Sequence, residues 1–372
     1  MKYYIIAGEA SGDLHGSNLI KELKKLDTLA TIRCWGGDKM EAQGGTLVKH
    51  YRDLAFMGFV EVLKNIRTIM RNLSFCRNDI AAFKPDVLIL IDYPGFNLRI
   101  AEWAKKQGIR VLYYISPQVW AWKENRVRSI KENVDKMLVI LPFEKEFYRK
   151  WNYEVEYVGH PLVEVIDAFI SEKENSPVIA AQKNAGNVAL LPGSRQQEIL
   201  QKLPIMLQVA AHFPDYSFTV ARAPGLEDSF YENMLKPYKN VYAVSGKTYD
   251  LLYDAKAALV TSGTATLETA LFAVPEVICY KGSNISYQIA KRLIKIKFIG
   301  LVNLIMDKEV VKELIQHELT VENLVKELNL LLHDAGKKAT LQKDYAALKK
   351  LLSAGGHASA NAAKLIYDFV KS

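Results

Sequence analysis

The sequence predicts an α/β protein built on two parallel sheets, and three observations carry that prediction. Short apolar runs recur along the 372 residues with helical stretches between them. The runs are apolar throughout, without polar alternation, which marks strands covered on both faces of a sheet. They also fall into two series separated by a polar break. The first series is "YYIIA" from Tyr3, "TIRCW" from Thr31, "DVLILI" from Asp86, "RVLYYI" from Arg110, "KMLVIL" from Lys136 and "VEYVG" from Val155. The second is "NVALL" from Asn187, "SFTVA" from Ser217, "VYAV" from Val241, "AALVT" from Ala257 and "EVICY" from Glu276.

The break, "AFISEKENSPVIAAQKNAGN", is polar and interrupted by Pro177 and Gly186, as expected of a connection between domains. The boundary is placed near residues 170–187, with a first domain over 1–170 and a second over 187–335. Beyond it, "KKATLQKDYAALKKLL" reads as a helix and "SAGGHASANAAKLIYDFV" restarts one after two glycines. These C-terminal helices, 336–372, are expected to pack back on the first domain.

Composition narrows the class. Apolar residues make up 49% of the chain, enough for a sizeable core in each of two domains. The start meets Glu9 after too few apolar residues for a signal peptide, and no uncharged apolar run approaches the roughly 18 residues of a membrane span. Cys34, Cys76 and Cys279 form no CxxC pair, so neither a zinc site nor a disulfide framework is suggested, in keeping with a reducing cytosol. A net charge of +8 implies anionic company: nucleic acid, phosphorylated substrates or an acidic membrane surface. No motif of a nucleic-acid-binding fold accompanies it, so no nucleic-acid partner is expected. A homo-oligomer is left open.

Two open α/β domains side by side form a cleft, and ligands bind such sheets beyond the carboxyl ends of the strands. The opening loop, "AGEASGDLHG", carries Gly8, Gly12 and Gly16 but also Glu9 and Asp13, whose charges repel a diphosphate. A dinucleotide fingerprint has no acid inside it and an acid at the end of the second strand, where "CWGGD" places glycines. Nicotinamide chemistry is therefore the weaker reading. Glu9, Ser11 and Asp13 suit sugar hydroxyls instead, whose donors carboxylates accept.

The phosphate candidates lie later. "NVALL" runs into "PGSRQQEI", so that Gly193 and Ser194 precede a helix with Arg195 at its first turn. Free amides, a partial positive charge and a bidentate guanidinium suit phosphate oxygens. The same residues also suit a plain helix start, with Ser194 as N-cap, Glu198 in the first turns and Arg195 solvated. A second loop has the same design: "AALVTSGTATLETA" brings Ser262, Gly263 and Thr264 before a helix, with Glu268 a turn further in for ribose hydroxyls or as a surface residue.

The motifs "AGEASGD", "IDYPGFN", "SPQVWAWKENRV", "LPFE" with "VGHPLVE", "LPGSRQQEI", "TSGTATLE" and "VNLI" stand in the order and spacing of the lipid-A-disaccharide synthases. The chain resembles that family over nearly its whole length, and the stretch with Trp120 and Trp122 is shared with few other proteins. The resemblance implies a GT-B glycosyltransferase fold, two Rossmann-like parallel-sheet domains facing across a cleft. It implies an inverting transfer from UDP-2,3-diacylglucosamine to 2,3-diacylglucosamine 1-phosphate, giving a β-1,6-linked disaccharide and UDP. It implies no metal and no cofactor, and the chain has no D-x-D pair to hold a metal on a diphosphate. By the resemblance Asp92 is the general base and Arg195 the nucleotide-binding arginine, while Asn303 and Gln316 fall at donor-side positions and Trp120 joins the candidate sugar contacts. Tyr93-Pro94-Gly95 lies inside the aspartate motif where relatives vary, and this touches no role. His15 and His160 rank below Asp92 as bases, a lone histidine being more often packed.

Substrates with acyl chains imply a cytoplasmic enzyme working at the inner membrane's cytoplasmic face. In "FMGFVEVLKNIRTIMRNL", Phe59, Leu63, Ile66, Met70 and Leu73 share a helical face, with Lys64, Arg67 and Arg71 off it. In "NISYQIAKRLIKIKF", Ile285, Ile289, Leu293 and Ile296 make a stripe beside Lys291, Arg292, Lys295 and Lys297. Basic amphipathic helices suit an anionic interface, although either segment also reads as an ordinary core-facing helix. The competing enzyme reading, another UDP-sugar protein such as a 2-epimerase or a peptidoglycan-pathway transferase, shares the nucleotide loops but would lack "SPQVWAW".

Overall fold

The computed structural model describes residues 1–54, 66–122, 124–175, 186–283, 287 and 297–372. The chain divides into two compact units, Met1–Pro161 with Leu352–Ser372, and Leu162–Leu351.

The first unit holds a seven-stranded sheet in the order β3-β2-β1-β4-β5-β6-β7. Its strands are β1 (Lys2–Ala7), β2 (Thr31–Gly36), β3 (Thr46–His50), β4 (Val87–Ile91), β5 (Val111–Tyr114), β6 (Lys136–Val139) and β7 (Glu156–Tyr157). All pairings are parallel, and Ala7 stands opposite Ile91 in the β1–β4 register. Successive side chains serve opposite faces. Tyr4, Ile6, Leu88 and Leu90 enter one core with Cys76 and Ile80 of the helix Ile66–Phe83 and Phe96 and Ile100 of the helix Pro94–Lys106. Tyr3, Ile5, Val87 and Ile89 enter the other, with Leu19 and Ile20 of the helix Ala10–Leu26 and Ala362, Ala363 and Ile366 of the helix Ala358–Lys371. Covering both faces is what makes each strand an unbroken apolar run.

The second unit holds six parallel strands in the order β10-β9-β8-β11-β12-β13. They are β8 (Asn187–Leu191), β9 (Ser217–Arg222), β10 (Val241–Ser245), β11 (Ala257–Thr261), β12 (Glu276–Tyr280) and β13 (Lys312–Ile315). On one face Ala189, Leu191, Ala258 and Val260 pack with Leu251 and Leu252 of the helix Thr248–Asp254. The helices Gln196–Ala210 and Val321–His333 pack on each other and the latter on β11, β12 and β13.

Three boundaries differ from the sequence reading. Strands β3 and β13 are additional; both are edge strands, and β3 is only partly buried, so neither presents a continuous apolar run. The division between units falls at Pro161/Leu162, ahead of the polar stretch. The helix Pro161–Glu174 binds into the second unit, where Phe169 packs edge-on against Tyr249 and Phe272 at 5.5 and 5.8 Å and Lys173 pairs with Asp250. The C-terminal helices are divided: the chain returns to the first unit only at Leu352, after most of the helix Ala335–Ser353.

The three cysteines are free and buried, and burial pushes the thiols of Cys34 and Cys279 up to about 12. Another buried group is more costly. Glu276 opens β12 only 1% exposed, neither carboxyl oxygen has a hydrogen-bond partner in the protein, and burial holds its pKa well above the carboxylate range. A carboxyl group that keeps its proton when folded but loses it near pH 4–5 when unfolded makes stability fall as pH rises between those values. Glu276→Gln should therefore flatten the decline of Tm from pH 5 to pH 8 and raise Tm at pH 8 by about 2–4 °C. A variant less stable at every pH would show instead that the carboxyl makes a bond the fold requires.

Candidate active site

Most of the candidate residues lie at two places, one in each unit, and both are where the strand order reverses direction. In the first unit β1 and β4 are neighbours whose carboxyl-end loops diverge. Glu9 follows β1 and Asp92 follows β4. Asp92 and Tyr93 both adopt left-handed backbone, φ +44° and +49°. Such a conformation costs about 1–3 kcal/mol for each non-glycine residue and persists only where the surroundings hold it. Here the Asp92 carbonyl accepts hydrogen bonds from the Asn97 amide, 2.7 Å away, and from the Tyr113 hydroxyl. Asn97 is fully buried and its amide also donates to the Ile91 carbonyl at 3.2 Å. Gly8 leaves room for the Tyr93 ring, which any side chain there would meet at 2.3 Å.

The clamp holds the backbone of Asp92, and its carboxylate is half-buried at the strand end. Burial pushes the Asp92 pKa up to about 6, the charge of Glu9 adds to the rise, and the Tyr93 amide opposes it. A base with that pKa is ionised near neutrality and retains affinity for a proton. The two histidines are shifted in the other direction. His15 is driven down to about 4 by burial and by Lys39, and His160 to about 3 by burial and by His15.

Other candidates in the first unit have structural duties. The Asp13 carboxylate is 3% exposed and accepts from the backbone amides of Gly37 at 2.8 Å, Met40 at 3.0 Å and Lys39 at 3.2 Å, capping the helix Asp38–Ala42. That corrects its reading as a sugar ligand: Gly37 gives one of the three amides, and a side chain there would meet the carboxylate at 2.7 Å. Ser11 is exposed and Glu9 half-buried. Trp120 packs edge-on against Phe143, ring centroids 5.0 Å apart, beside Glu144. The buried Glu144 carboxyl, pushed up to about 7, accepts from the Leu141 amide at 3.0 Å, so "SPQVWAW" and "LPFE" fold onto one another. Trp122 has no described side chain.

In the second unit the reversal lies between β8 and β11. A pocket of about 310 Å³ opens there, lined by Gly193 and Ser194 after β8 and by Ser262, Gly263 and Thr264 after β11. Both glycines have positive φ, +120° and +154°, so a side chain at either would strain the turn that presents the amides. The helices Gln196–Ala210 and Thr264–Leu271 begin at its wall. The N-cap position falls on Arg195, not on Ser194, which corrects the alternative cap reading and leaves Ser194 facing the pocket. The Arg195 side chain is 60% exposed and lies 3.3 Å from Glu198. Glu268 stands behind the wall and accepts from the Tyr249 hydroxyl at 2.9 Å, with burial raising its pKa. Among the lining residues that sequence reasoning missed are Arg222 at the end of β9 and Thr248 at the start of its helix. The "ARAPG" turn after an apolar run was the available signal.

Asn303 and Gln316 are supports. The Asn303 side chain is fully buried: its amide nitrogen donates to the Val311 carbonyl and the Glu313 carboxylate at 2.8 and 2.9 Å, and its oxygen accepts from the Val310 and Val311 amides at 2.8 and 3.0 Å. All four of its hydrogen-bonding positions are filled, which corrects its reading as a direct donor-sugar contact. Gln316 exchanges two bonds with the backbone of Gly282, at 2.9 and 3.3 Å, and is likewise spent on holding a loop.

Comparison with known proteins fits this geometry. The chain is 39% identical to the lipid-A-disaccharide synthase of Syntrophus aciditrophicus (strain SB) over 373 residues, 99% of this chain and 97% of the relative. It is 36% identical to that of Coxiella burnetii (strain CbuG_Q212) over 372 residues, 99% and 98% of the two chains. Among solved structures, UDP-GlcNAc 2-epimerase from Neisseria meningitidis bound to UDP-GlcNAc superposes with a TM-score of 0.70 at 13% identity, covering all of both chains. The glycotransferase of kitacinnamycin gives 0.67 at 13%, covering 99% of each. At such identities these neighbours speak for the fold alone, and that fold is GT-B, with two Rossmann-like parallel-sheet domains. With residues 3–368 also matching the profile of the lipid-A-disaccharide synthetases, the chain belongs to that family.

Proposed function

We propose that the chain joins UDP-2,3-diacylglucosamine to 2,3-diacylglucosamine 1-phosphate, with inversion, to form the β-1,6-linked disaccharide 1-phosphate and UDP. The observation that carries the residue assignment is that each unit has its own reversal point, the first bearing a carboxylate poised near neutrality and the second a pocket walled by two helix starts. In a single displacement the acceptor 6-hydroxyl attacks the anomeric carbon, its proton passes to Asp92, and the bond to the diphosphate breaks as UDP leaves. A helix end contributes about 0.3–1 kcal/mol toward an anion, whereas a hydrogen bond to a charged group contributes about 1.5–3 kcal/mol. Directed donors on Gly193, Ser194, Ser262, Gly263 and Thr264 and an arginine therefore do more for the leaving diphosphate than the dipoles do. Glu9 is assigned to sugar hydroxyls, whereas Glu268, outside the pocket lining and bonded to the Tyr249 hydroxyl, is assigned to holding the wall and not to the ribose. The wall offers the charge stabilisation that inversion needs on the departing side.

An anionic membrane surface is proposed as the meeting place with the acylated substrates. Among the described residues no helix is long and apolar enough to cross a membrane. Of the two basic segments, Phe59, Leu63, Lys64, Ile285, Ile289, Lys291, Arg292, Leu293, Lys295 and Ile296 lie outside the described residues, as does the side chain of Ile66. In the described part Met70 is 57% exposed and Leu73 buried, so the expected apolar face is split between solvent and core. Lys297 is exposed and 3.4 Å from Asp307.

Incubation with both substrates and mass detection of the disaccharide phosphate tests the reaction; turnover of an unacylated UDP-sugar without that product would favour a different enzyme of the same fold. In that assay Asp92→Asn should lose about 10²–10⁴ in rate. The wild-type rate should rise with pH through about 6 as Asp92 ionises, and Glu9→Gln, by removing a neighbouring negative charge, should move this limb to lower pH. An unmoved limb would separate Glu9 from the base. Replacing Lys291, Arg292, Lys295 and Lys297 with glutamine should weaken binding to anionic vesicles, most at low salt, while leaving turnover in detergent nearly unchanged. Equal loss in both media would mean that the segment serves the fold.

A further inference from the structure

We infer that Arg222 is the residue that grips the diphosphate of the nucleotide, with Asp228 fixing the plane of its guanidinium. This rests on the reading of the β8–β11 pocket as the UDP site. The resemblance points to Arg195 for this duty, yet the two arginines are placed differently. Arg222 ends β9, the strand beside β8, at the same sheet edge as Gly193 and Ser194. It lines the pocket, and among the described lining residues it is the one cation, with Glu198 the one anion. Arg195 is not in that lining, and its exposed side chain lies against Glu198.

The state of the guanidinium points to a ligand. The Arg222 side chain is 19% exposed, against 60% for Arg195, so its charge is less screened by water. One terminal nitrogen pairs with Asp228, the first residue of the helix Asp228–Leu235, whose own side chain is 67% exposed. The Nε–H is buried and has no acceptor in the protein. A buried donor without a partner is unfavourable unless something else supplies the acceptor, and a fork already held at one nitrogen presents its remaining donors in a fixed plane. Phosphate oxygens meet that fork, whereas uracil and ribose offer no charge to match it. Glu198 would oppose an anion at this wall, and its neighbour Arg195 offsets that charge from the solvent side. The two arginines thus divide the work: Arg222 touches the diphosphate, and Arg195 neutralises Glu198.

Calorimetric titration with UDP and with uridine separates the phosphate from the nucleoside. Arg222→Gln should lower UDP affinity about 10- to 100-fold while changing uridine affinity less than about threefold. Arg222→Lys keeps a charge beside Asp228 but loses the fork, so its UDP affinity should fall between the two. Arg195→Gln should cost less UDP affinity than Arg222→Gln. Equal fractional loss of UDP and uridine in a folded Arg222 variant, or no loss of UDP, would overturn the assignment. Should the glutamine variant unfold, the lysine variant decides the question: selective loss of UDP supports the assignment and equal loss contradicts it. A wild-type protein that binds neither UDP nor uridine would reject the reading of the pocket itself, a result distinct from an Arg222 variant that binds as well as wild type.

Discussion

In a parallel sheet every strand delivers its carboxyl end to the same edge, and the rest of this structure depends on that constraint. Both units place their first strand beside their fourth, β1 against β4 and β8 against β11, so the connections leaving these pairs diverge to opposite faces. No crossover covers such a reversal, and between β8 and β11 a pocket opens there. Glu9 and Asp92 stand at one; Gly193, Ser194, Ser262, Gly263 and Thr264 stand at the other. The chemistry is an occupant of positions that strand order creates.

Holding functional groups at strand ends consumes many other polar residues. The left-handed turn at Asp92 is held by Asn97 and Tyr113, and the helix Asp38–Ala42 by the Asp13 carboxylate. Asn303 and Glu313 together satisfy the amides of Ile299, Gly300, Val310 and Val311. Buried backbone groups need partners, and in loops that have no ladder to supply them a side chain must do so. Such supports occur in the same motifs as the candidate site residues and use the same residue types. Asp13 and Asp92 illustrate the divide: one carboxylate is spent on three amides, while the other is left half-buried with a raised pKa.

Much of the fold was legible because the central strands are buried on both faces and so read as unbroken apolar runs. Two of the four edge strands were not: β3 and β13 are covered on fewer sides, while β7 and β10 were read from their apolar runs, although β7 shrinks to Glu156–Tyr157. The boundary between units escaped because composition marks where a chain is polar, while Phe169 and Lys173 decide where its contacts lie. The glycine-serine loops of the pocket were visible through their place between strand and helix. Arg222 was passed over: the "ARAPG" turn marks the strand end, but a single arginine there has no spacing to distinguish it, and only its burial and unspent donor do. The duties of Asn303 and Gln316 were hidden for the converse reason, because their partners are backbone groups brought near by folding.

The central claim is that the nucleotide binds at the reversal between β8 and β11, and that the glycine-rich opening loop is no phosphate site. Hydrogen–deuterium exchange with and without UDP addresses both parts at once. Exchange should slow over residues 193–196, 222–223 and 262–266 when UDP is added, with residues 8–13 unchanged. Protection of residues 8–13, with the loops after β8 and β11 unaffected, would contradict the claim.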